Sequence, residues 1–86
     1  MSENEELYKD LMEMIEILNT TVEINAHEEE FYRRSAASST REVAKTLFLE
    51  IADDVEQSLN KLRARRQKLW DALRDLEADE KAGKKP

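Results

Sequence analysis

The chain has 86 residues, 40% of them charged, a net charge of −6, no cysteine, one glycine and one proline. That length holds one domain, and a single small domain buries a modest core. The acidic balance argues against a general nucleic-acid binder, whose footprint would be basic. The missing cysteines remove disulfides, thiolate metal sites and cysteine nucleophiles.

The breakers, Gly83 and Pro86, lie at the C-terminal end, so nothing before them forces the chain out of helix. The spacing predicts a first helix over about 4–36. Ser2 or Asn4 caps it, and Glu3, Glu5 and Glu6 suit the positive end of its dipole. Leu7, Leu11, Met14, Ile15, Leu18 and Val22 follow helical spacing, with Tyr32 further along. A second stripe, Ile17, Ile24 and Phe31, is more than one partner helix can cover.

A break is expected at Ser35–Thr40. The run Ser39-Thr40-Arg41-Glu42 fits a capping box, with Ser39 as cap and Glu42 reaching back, and Thr40 is the other possible cap. The second helix is predicted over about 40–82, carrying Val43, Leu47, Phe48, Ile51, Val55, Leu59, Leu62, Leu69, Leu73 and Leu76, with Gly83 as its stop. Glu77–Pro86 reads as a charged, fraying end, and 83–86 as a disordered tail outside a single domain spanning 1–82. Reflection about residue 38 puts Leu7 opposite Leu69, Leu11 opposite Arg65 and Asn25 opposite Ile51. It sets Glu13 and Glu16 against the basic run Lys61–Lys68. Trp70 is expected to pack with Leu7, Tyr8 and Leu11.

The segments Val22–Arg34 and Arg41–Asp54, with the landmarks Phe31-Tyr32-Arg33, Val43 and Leu47-Phe48, resemble the rubrerythrin-like branch of the ferritin-like superfamily. The resemblance covers roughly half the chain. It implies an all-α fold: a long antiparallel hairpin that dimerises into a four-helix bundle. It also implies a di-iron site with oxidase, peroxidase or storage chemistry. Its ligand positions, however, fall on Asn25, Val55 and Ser58, where two carboxylates and an imidazole would be required. Substitute ligands could come from Glu29 and Asp54, one turn away, or from His27 with Glu23 and Glu30. The simpler reading of all three substitutes is solvation or pairing with Arg33 and Arg34.

The expectation is therefore a catalytically degenerate ferritin-like protein that acts through assembly or partner binding, with no catalytic residues and no cofactor. Its interface would be Leu18, Val22, Ile24, Phe31, Ile51, Val55, Leu59 and Leu62. One alternative is a metal-binding protein that oxidises or stores iron with substitute carboxylates. Another is a coiled-coil adaptor. The expected partner is a second copy of the chain, without nucleic acid or membrane. With no long apolar run and no leader signature, a cytoplasmic location is expected.

Overall fold

The computed structural model describes residues 3–83, with side chains to Lys81. Two helices account for nearly all of it: α1, Glu3–Ser38, and α2, Glu42–Gly83. They lie antiparallel in a slab measuring 70 × 18 × 13 Å. The chain is thus an all-α hairpin, with α1 longer than expected at both ends and α2 starting two residues later and ending one residue later. Gly83 is the last described helical residue, so α2 runs through Glu77, and Leu76 is 9% exposed. Gly83, where the disordered tail was expected to begin, is thus helical. The rest of the predicted disordered tail, 84–86, lies outside the described residues.

The turn is built from hydroxyls. The last carbonyls of any helix lack intrahelical donors and need partners from elsewhere. Here the Ser39 and Ser38 hydroxyls donate to the Ser35 carbonyl at 2.8 and 3.2 Å, and the Ser39 amide donates to Ala36 at 3.2 Å. Ser39 therefore seals the end of α1. The capping box is corrected: α2 starts only at Glu42, and the first helical bond runs from the Lys45 amide to the Arg41 carbonyl. Among the described residues none has positive φ, so the reversal uses no left-handed position.

The seam between the helices follows a seven-residue spacing. On α1 it runs Ile15, Val22, Glu29, Ala36; on α2 it runs Ala52, Leu59, Arg66, Leu73. The apolar members are 7% exposed or less. Each row carries one polar member, and both are half-buried and held. Arg66 donates to the Asn19 side chain across the seam at 3.0 Å. Glu29 accepts from Arg33 at 2.8 Å, and Arg33 crosses to Asp53 and Glu56 at 3.3 and 3.1 Å. A polar residue within an apolar seam fixes register, because sliding strands it without a partner.

Reflection about residue 38 misplaces the register. Leu11 packs with Ile15, Leu73 and Leu76, with Met12 and Leu69 against them. Leu11 thus meets α2 about two turns beyond Arg65. The turn is centred later, near residue 40, and the apolar seam rather than the charges decides the pairing. Hence Glu13 and Glu16 do not meet Lys61 and Arg63. The pairs formed among the described residues centre on Arg33, with Arg74–Asp71 along α2. Trp70 stays 40% exposed and outside the Leu11 cluster, in a groove with Gln67, Arg74 and Glu77.

Among the described residues, no helix is long and apolar enough to cross a membrane.

Candidate interaction surface

At 3.6 residues per turn, Ile17, Ile24 and Phe31 lie two residues past the seam row, about 160° round α1 from it, and Ile51 and Leu47 lie about 100° and 140° round α2 from Ala52. Because the helices run antiparallel, these five lean toward one broad face of the slab, whereas Val43 lies opposite Ala52 on the outer side of α2. All six are open to solvent, from 40% at Ile51 to 74% at Val43. The opposite face carries the Arg33 cluster and the Asn19–Arg66 bond, with Tyr8, Leu49 and Trp70 as scattered apolar residues. Scattered apolar residues are ordinary on a surface, whereas a contiguous stripe is not.

Two concavities lie on the apolar face. Toward the chain ends, Met14, Ile17, Leu18 and Leu69 floor a groove of about 400 Å³, edged by Arg65 and Lys68. At mid-height a shallower one of about 190 Å³ is lined by Asn25, Glu28, Asp54, Val55 and Ser58. Toward the turn, Phe31 meets Tyr32 edge-on at 5.4 Å, and Tyr32 stacks toward Phe48 at 6.4 Å. Tyr32 is a packing residue here.

The expected interface residues divide. Ile24, Phe31 and Ile51 are exposed on this face, and Leu18, Val55 and Leu62 are half-buried beside it. Val22 and Leu59 are corrected: at 7% and 1% exposure they are spent on the seam and have nothing to offer a partner. Sequence reasoning missed the flanking charges Glu28, Arg65 and Lys68. Their helical phase relative to Ile17 and Leu47 was a usable signal once the register was known.

The three positions matching the ferritin-like ligand pattern do converge, since Asn25, Val55 and Ser58 line one depression. Their chemistry does not suit iron. They supply an amide, an alkyl group and a hydroxyl. Of the proposed substitutes, Glu29 is committed to Arg33, and its charge helps raise the Arg33 pKa above the ordinary arginine value. Burial opposes that shift, and Asp53 and Glu56 add to it. A raised base contributes stability below its ordinary pKa and loses it only above. Arg33 thus stays charged at any pH where the hairpin is folded. Asp54 and His27 are exposed, and Asp54 sits nearer Glu28 than the arginine cluster. Among the described residues no group of three or more histidine, aspartate or glutamate side chains is placed to hold a metal ion. A di-iron centre does not fit these residues, and no chemistry is derived through one.

Because the positions converge, their ligands can be installed. Asn25→Glu, Val55→Glu and Ser58→His together should bind Co(II), a spectroscopic stand-in for iron. Without metal the triple variant should melt below wild type, since it gathers carboxylates in a crevice. Saturating Co(II) should raise its melting point by several degrees, as about 3 kcal/mol follows from a hundredfold excess over Kd. A melting point unmoved by Co(II) would mean that the three positions diverge in solution.

No family model, no curated protein and no solved structure matches the chain.

Proposed function

We propose that this chain is an assembly module: a ferritin-like half-bundle without its iron ligands, whose function is to associate through the face of Ile17, Ile24, Phe31, Leu47 and Ile51. Two hairpins joined by that face would form a four-helix bundle. The observation that carries this reading is the uncovered stripe on an otherwise charged slab. A compact monomer of 10.1 kDa exposes about 5,300 Å². This hairpin exposes 6768 Å². The excess, about 1,500 Å² per chain, is on the order of what a large homodimer interface covers on each partner. The side chains at the degenerate positions, an amide, an alkyl group and a hydroxyl, do not suit iron, which favours a scaffold over the family's iron chemistry.

Light scattering and sedimentation of the purified chain test the reading. A stable dimer at micromolar concentration is the expected result. A monomer under those conditions would sink it.

A further inference from the structure

We propose that the groove near the chain ends is a binding site for a free single-chain amphiphilic anion, a medium-chain carboxylate of the fatty-acid class. Its apolar floor takes the tail, and Arg65 and Lys68 take the head. The site is complete within one hairpin and goes beyond the assembly reading, although it borders the association face and shares Ile17 with it.

Two unlike features meet in this groove. Its floor of Met14, Ile17, Leu18 and Leu69 is apolar, and its volume of about 400 Å³ is in the range of small-molecule sites. Its rim is cationic. Arg65 and Lys68 stand one turn apart on α2 and line the same opening. Among the described residues neither forms an ion pair or a side-chain hydrogen bond. The chain carries 20 acidic against 14 basic residues, so these cations are not unpaired for want of carboxylates. Arg33 gathers three carboxylates, while the two cations beside an open apolar floor have none.

An amphiphilic carboxylate complements both features. The guanidinium fork of Arg65 can hold both carboxylate oxygens, and the Lys68 ammonium adds a point charge. The neighbouring side chains set the direction of the tail. Toward the turn lie Glu28 and Asp54, which offer an alkyl chain nothing to bury against. Toward the chain ends, Leu7 is 47% exposed. It stands seven residues before Met14 on nearly the same line of α1, about 10 Å further on. The tail therefore runs from Arg65 past Met14 toward Leu7. A membrane surface fits less well. The same face carries Glu28 and Asp54, and an anionic bilayer repels a chain of net charge −6.

Decanoate, kept below its micelle concentration, is the probe, and titration calorimetry on the full chain is the measurement. One decanoate per chain should bind saturably, with helix content unchanged by circular dichroism. Octanoate, two methylenes shorter, should bind about tenfold more weakly. Arg65→Gln with Lys68→Gln should weaken decanoate about tenfold and leave decanol unmoved. Lys45→Gln with Arg63→Gln removes the same charge elsewhere and should leave decanoate unmoved. Met14→Glu should weaken both ligands. Decanoate bound no tighter than decanol, equal loss from both glutamine pairs, or uptake that never saturates would overturn the proposal. So would binding to phosphatidylglycerol vesicles without binding of free decanoate, which would make the groove a membrane contact. Light scattering without decanoate reads self-association separately, so either reading can fail alone.

Discussion

Ile24→Asp should convert the protein to monomer at concentrations where wild type is paired. Ile24 is 53% exposed in the hairpin, so aspartate costs the folded chain little beyond a modest change in helix propensity. In the proposed interface the same substitution removes an apolar anchor and buries a carboxylate without a partner. Central interface residues typically cost 2 kcal/mol or more on truncation. With the added cost of the charge, self-association should weaken by about a hundredfold or more. Sedimentation equilibrium on wild type, Ile24→Asp and Leu49→Asp reads the effect. Leu49 is exposed on the opposite face of the slab, so that control should remain paired. A dimeric Ile24→Asp would show that this face is not the contact.

Leu59→Ala should have the largest effect on folding itself. Leu59 is 1% exposed and, with Ile15, one of the two largest side chains fully enclosed. Truncating a buried leucine costs about 2–5 kcal/mol, combining lost transfer energy with the cavity left behind. A domain of this size has little more than that in total. Denaturant titration followed by far-ultraviolet circular dichroism should show a midpoint moved far toward zero, or no cooperative transition. Leu49→Ala, at a position 39% exposed, should cost under about 1 kcal/mol. Equal effects at both positions would mean that the seam is loosely packed.

Much of the architecture was legible because helical periodicity is a local property. Leu11, Ile15 and Val22 announce one seam, and Ile17, Ile24 and Phe31 announce a surplus stripe, with no knowledge of the partner helix. What failed was non-local. Register depends on where the turn is centred and on which rows mesh, and neither follows from reflection about a guessed midpoint. The capping box failed because Ser39 had two uses, and the orphaned carbonyls of α1 claimed its hydroxyl first. Charge pairing failed for a related reason. Basic and acidic runs look complementary on paper, yet exposed pairs contribute too little to overrule an apolar seam. The heptad rows through Glu29 and Arg66 were visible as spacings, but seven-residue rows with a charged member do not stand out until the apolar members are known to be buried.

The two faces of the slab also decide where growth ends. A hairpin apolar on both sides would accept a neighbour on each and stack into a fibre. This one has a single sticky side, and its reverse is occupied by the Arg33 cluster and the Asn19–Arg66 bond. In the assembly proposed above, two apolar sides that meet would leave outward only scattered apolar residues among charges. The charged reverse would then act as a terminator, and replacing its arginines with leucines would turn a closed particle into a polymer.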